Sequence, residues 1–216
     1  LSLFYMNFYS GICTFFLLIT VCSHAQVSYG ILGGGQQTDA KVKIPDGPRI
    51  PATVGYGFHA GAMLKVPFDK NVFFSPQILY SLKGFTVHYN NMLQDSVTAA
   101  KLLIHYIEIP AMLQFDTRSD GNGFFFLFGP SVSVAITGKE RRTFIDNSEK
   151  QRPMRFANTA YGRFEMNLVA KAGYWFKNNV TVTGGYSYGL GSIVNDDYFA
   201  RIVPRMITLS VGYFFR

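Results

Sequence analysis

A chain of 216 residues that carries 21 Gly, 21 Phe and 13 Tyr but only 15% charged residues has less water-facing surface than a soluble domain, in which roughly 25% are charged. Its mean hydropathy is +0.13, yet beyond the N-terminus no stretch offers the roughly 20 uninterrupted apolar residues of a spanning helix, which excludes a helical membrane protein. The formal charge of +7 belongs wholly to residues 26–216, because residues 1–25 contain no Lys, Arg, Asp or Glu.

The first element is an export signal. Residues 12–21 form a compact apolar core, and Ser23-His24-Ala25 places small residues three before and one before a cut ahead of Gln26. The expected start is Met6, the expected signal peptide is 1–25, and the expected barrel domain is 26–216. Both cysteines, Cys13 and Cys22, fall in the segment to be removed. The processed chain then has no disulfide and no thiolate metal site, and neither metal nor cofactor is expected. Export also directs the positive charge toward anionic lipid and sugar phosphates rather than nucleic acid.

Eight strands follow, predicted at 26–36, 54–66, 72–85, 101–115, 123–137, 159–176, 179–191 and 206–216. Most exceed the roughly 9 to 11 residues of a tilted transmembrane strand. Their connections alternate in length: 68–71, 116–122 and 177–178 are short and polar, whereas 37–53, 86–100, 138–158 and 192–205 are long. Short turns at one end and long loops at the other describe an antiparallel up-and-down transmembrane barrel, with both chain ends on the periplasmic, short-turn side.

Period-two alternation sets the facing. In the last strand Ile207, Leu209, Val211, Tyr213 and Phe215 alternate with Thr208, Ser210, Gly212 and Phe214. In the sixth, Phe164, Met166, Leu168, Ala170, Ala172 and Tyr174 oppose Arg163, Glu165, Asn167, Lys171 and Gly173. Arg or Lys at the bilayer midplane costs roughly 2 to 4 kcal/mol, so the charged row must point inward. Pro76, Pro110 and Pro130 each remove a ladder donor, and a bulge or local distortion is expected at each. Aromatic clusters at 73–74, 124–126, 174–176 and 213–215 adjoin the short turns as an interfacial girdle.

The segments Gly57-Phe58-His59-Ala60-Gly61, Tyr106-Ile107-Glu108-Ile109-Pro110 and Ile207-Thr208-Leu209-Ser210-Val211-Gly212-Tyr213-Phe214-Phe215 resemble the PorT-like outer-membrane β-barrel proteins of Bacteroidota. The resemblance covers 26–216 and implies an eight-stranded barrel in the outer membrane of a Gram-negative bacterium. It also implies that the terminal strand is read by the outer-membrane assembly machinery.

An eight-stranded barrel is filled by its own side chains. Lys65, Lys83, Glu108, Arg163, Glu165 and Lys171 are the expected ion-paired lumen network, with a structural role. The loop 138–158 has six cations against three carboxylates, and Arg141, Arg142, Arg152 and Arg155 are candidate contacts for lipopolysaccharide phosphates. No spacing singles out a Ser, His and carboxylate trio for acyl transfer, and no helix follows Gly33-Gly34-Gly35 to make a phosphate loop. The expected function is a non-enzymatic structural or surface-interaction protein with a plugged polar interior. A narrow porin-like channel and a lipid-modifying barrel hydrolase are the alternatives.

Overall fold

The computed structural model describes residues 27–43, 49–89, 96–118, 122–157, 160–195 and 200–215. The expected export segment 1–25 lies outside the described residues. Ten strands occur among the described residues: β1 (Ser28–Lys43), β2 (Arg49–Ile50), β3 (Ala52–Asp69), β4 (Val72–His88), β5 (Val97–Asp116), β6 (Gly123–Phe144), β7 (Glu149–Pro153), β8 (Phe164–Trp175), β9 (Val180–Gly189) and β10 (Arg201–Phe215). Eight of them make the wall in the order β10-β9-β8-β6-β5-β4-β3-β1, and β1 pairs β10 to close the ring. The closing ladder runs from Tyr29 opposite Phe215 to Lys43 opposite Arg201. The short strands β2 and β7 extend the wall beside β1 and β6. The chain is therefore an eight-stranded antiparallel barrel.

Alternation decides what the wall encloses. Ile207, Leu209, Val211, Tyr213 and Phe215 are exposed outside, while Ser210, Gly212 and Phe214 are buried inside. In β5, Ile109, Leu113 and Phe115 face out and Glu108, Gln114 and Asp116 face in. Beyond His105 the pattern inverts. Lys101, Lys139 and Arg141 face out, and Ala100, Leu102, Ile104, Phe85, Val87, Val42 and Ile202 pack inside as one apolar cluster. The inversion coincides with a register shift between His105 and Tyr106. Hydrocarbon demands an apolar outside and water demands a polar one, so the crossover marks a membrane boundary.

Six strand boundaries depart from the sequence pattern for the same reason. β1 continues to Lys43 and β4 to His88, β3 starts at Ala52, β5 at Val97 and β10 at Arg201, and β6 runs on to Phe144. These additions stand in the water-facing part of the wall, where backbone pairing persists after the apolar-outward pattern has ended. Consequently 138–158 is not a loop: β6 turns at 145–148 and returns as β7. Asn147 takes a left-handed φ of 60° there, as Asn179 does at 65° in the β8–β9 turn. In both turns the residue accepts the helical twist that a short hairpin requires. The sixth predicted strand starts late, at Phe164 instead of 159.

The expected distortion at Pro76, Pro110 and Pro130 takes the form of a local lapse in one ladder beside each proline rather than a bulge, because the pairing has the same offset on either side. A missing donor needs no extra residue. At Pro76 a side chain substitutes for it, because the Ser75 hydroxyl donates to the carbonyl of Leu64 at 3.0 Å.

Gly34, like Gly30, is a glycine that the closing seam cannot replace. A Cβ there would overlap the Leu209 carbonyl and come within 2.7 Å of Ser210 Cα, whereas one on Gly35 would meet nothing within 4 Å. Gly34→Val is expected to abolish the heat-modifiable folded band on semi-native gel electrophoresis, and Gly35→Ala to preserve it.

Candidate functional site

The candidate site is the filled interior, built in three tiers from inward-facing residues of every long strand. At the short-turn end, Lys65 of β3 pairs with Asp116 of β5, and Gln114 Nε2 donates to the same carboxylate at 2.7 Å. The Lys65 ammonium lies 3.9 Å from the Phe73 ring centroid and 4.2 Å from that of Trp175, which stacks on Phe214 at 4.4 Å. Cation–π contact and an ion pair together compensate a charge taken from water.

The middle tier centres on Lys83 of β4. Its ammonium sits 2.6 Å from Glu108 and 2.9 Å from Glu165, on β5 and β8 respectively, and thus ties together walls on opposite sides of the lumen. Asn167 Nδ2 donates to Glu165 at 2.8 Å, and Lys171 reaches Gln77 Oε1 at 3.5 Å. Gln36 Nε2 donates to Ser81 Oγ at 2.8 Å, joining β1 to β4 across β3. Cavities above and below Lys171 are each about 20 Å³. That admits a single water, which needs roughly 10 to 15 Å³.

The upper tier is the apolar cluster, roofed by Met154, Phe156, Tyr161, Ile193 and Val194 from the long connections. One charge is buried beneath this roof. Glu140 accepts from Arg142 Nε at 2.7 Å and from Arg152 Nε at 2.8 Å, clamping β7 to β6. Burial first, and the Glu140 carboxylate second, raise the phenols of Tyr89 and Tyr161 above their ordinary range, so both remain neutral.

Of the six residues nominated for the lumen, Lys65, Lys83, Glu108, Glu165 and Lys171 lie inside. Arg163 does not: it precedes β8, its side chain is exposed, and its guanidinium lies 5.9 Å from the Phe156 ring. Strand alternation cannot be extended to a residue that is not in the strand. Asp116 was assigned to a turn, although it shares the parity of Glu108 and Gln114 and is the Lys65 partner. Among the four nominated arginines, Arg142 and Arg152 are occupied by Glu140, Arg141 makes a solvent-exposed 3.5 Å pair with Glu149, and Arg155 is exposed.

The structure also brings together a pair that no sequence spacing revealed. His59 Nε2 and Ser210 Oγ, 151 positions apart, share a 2.7 Å hydrogen bond. His59 Nδ1 is buried and no carboxylate among the described residues accepts from it, so the orienting member of an acyl-transfer triad is missing. Both residues are buried inside the wall.

Lys83→Met would leave two carboxylates buried without their shared cation. Removing one partner of a buried ion pair costs about 3–5 kcal/mol, and denaturant unfolding in detergent is expected to show a loss of that order. Arg155→Ala should leave the midpoint unchanged.

The model for the outer membrane protein beta-barrel domain matches residues 24–195. Among solved structures, Ail, the attachment invasion locus protein of Yersinia pestis, is 17% identical with a TM-score of 0.45, covering 88% of this chain and 99% of that one. Neisserial surface protein A is 15% identical with a TM-score of 0.46, covering 86% and 97%. OprG of Pseudomonas aeruginosa is 14% identical with a TM-score of 0.41, covering 89% and 98%. No curated protein matches. With the family match spanning most of the closed, outwardly apolar wall, the chain belongs to the outer membrane protein beta-barrel domain family.

Proposed function

We propose that this chain is a non-enzymatic, plugged outer-membrane barrel of the PorT-like group, with a structural or surface-interaction role. The observation that carries the reading is the Lys83–Glu108–Glu165 bridge across the lumen beneath an apolar stopper. A solute would have to break a desolvated ion pair and displace packed side chains in one passage, and neither yields without loss of stability. The proposed orientation puts the described chain ends, Val27 and Phe215, with the short turns in the periplasm, and the tall β5–β6–β7 wall outside the cell. Outer-membrane lipid and lipopolysaccharide are its proposed surroundings, and the assembly machinery its proposed partner during biogenesis.

The His59–Ser210 pair supports this reading over a lipid hydrolase. Its hydroxyl points into the filled interior, whereas acyl chains lie on the outside of the wall. In this reading the pair is an interior hydrogen bond that joins β3 to β10 across β1. Purified protein in a planar bilayer is expected to give no stable unitary current. Reproducible current steps, abolished by a bulky substitution at Gly212, would establish the narrow channel instead.

A further inference from the structure

We propose that the water-facing rim of β1, β2 and β10 binds the phosphate groups of an acylated glycolipid of the outer leaflet, a reading that rests on the orientation proposed above. The register places Lys43 opposite Arg49 on one side and opposite Arg201 on the other, so three cations occupy one cross-strand row. All three are exposed, and among the described residues no carboxylate pairs with any of them. Like charges directly opposite one another destabilise a sheet. Among the described residues a row of three is therefore an electrostatic cost that a bridging anion would reverse.

The surroundings fit such an anion. A groove of about 630 Å³ opens beside the row, bounded by Lys41 and Arg205 as well. The nearby carboxylate, Asp39, is held by Arg205 Nη2 at 2.6 Å, and the buried Arg205 Nε has no hydrogen-bond partner. Arginine forks and lysine ammonium groups are the donors that phosphate oxygens take in charge-assisted hydrogen bonds. By contrast, the arginines of the β6–β7 hairpin that hold Glu140 are already paired.

The lower wall of the groove indicates an amphiphile in place of a soluble anion. Tyr188 and Leu190 line it and are 37% and 54% exposed, and they continue on the outer face into Tyr186, Ile207 and Leu209. Arg205 is two residues above Ile207 and Arg201 is six above it. At about 3.3 Å per residue and a tilt of roughly 40°, the cationic row stands about 15 Å above the first lipid-facing side chain. Acyl chains can follow the apolar column while phosphates reach the cations.

The test uses the full processed chain refolded in non-ionic detergent, with folding verified by heat modifiability and binding read by native mass spectrometry. The probes are diphosphorylated lipid A, dephosphorylated lipid A and glucosamine 6-phosphate. The diphosphorylated lipid is expected to be retained, and the other two to bind at least about tenfold more weakly, the scale of one lost charge-assisted hydrogen bond. The variant Lys43→Gln/Arg49→Gln/Arg201→Gln should lose at least the same factor. Lys43→Glu should abolish retention while raising the thermal midpoint in lipid-free detergent, because it converts two repulsive neighbours into attractive ones. Equal retention of the dephosphorylated lipid, equal binding of the soluble sugar phosphate, or undiminished binding by the triple variant overturns the proposal. Current steps in the bilayer experiment would defeat the plugged-barrel reading while leaving these binding results untouched.

Discussion

Closure of β1 on β10 is the constraint on which the rest depends. In hydrocarbon an unpaired backbone N–H or C=O has no water to turn to, so a sheet survives there only when it has no edge. The ladder from Tyr29–Phe215 to Lys43–Arg201 removes both edges at once. It needs a close approach of the two backbones, and Gly34 allows that approach where any side chain would strike the Leu209 carbonyl. Once the ring is shut, half of every strand faces a space too narrow for bulk water, and the polar groups placed there must satisfy one another.

The interior shows how that demand is met. Lys65 is compensated by Asp116 and two aromatic faces, Lys83 by two carboxylates, and Glu140 by two guanidinium groups. Lys65–Asp116 and Lys83–Glu165 join strands that share no backbone ladder, so these two pairs act as cross-braces, whereas Lys83–Glu108 and the Glu140 pairs reinforce strands that are already neighbours. The two faces of the same strands exchange polarity above His105, where outward positions carry Lys101 and Arg141 and inward ones carry Leu102 and Ile104. A single wall thus serves two solvents, and the residues at the changeover, including the hydrogen-bonded Tyr80–His105 pair on the outer surface, mark the height at which one gives way to the other.

Much of this was legible in the sequence because lipid imposes a strict rule. Ile207 to Phe215 and Phe164 to Tyr174 reveal their outward faces by period alone, and Lys83, Glu108, Glu165 and Lys171 follow by elimination. Legibility ended where the rule did. Above the bilayer the alternation inverts, so Lys139 to Phe144 resembled a charged loop although it is strand. Arg163 was extrapolated past the start of β8, and Asp116 was read as a turn residue because its period-two kinship with Gln114 competes with the turn chemistry that follows. The His59–Ser210 bond and the Arg49–Lys43–Arg201 row depend on register across the closing seam, which no single strand encodes.

Everything turns on hydrocarbon covering the outer face below the changeover. Both cysteines of the chain lie in residues 1–25, so single cysteines can be introduced along 205–213 of a protein comprising residues 26–216 and spin-labelled in lipid vesicles. Collision with dissolved oxygen should peak at Ile207, Leu209, Val211 and Tyr213, fall at the positions between them, and give way at Arg205 to collision with a water-soluble nickel complex. Uniform nickel access along the whole strand would contradict the account.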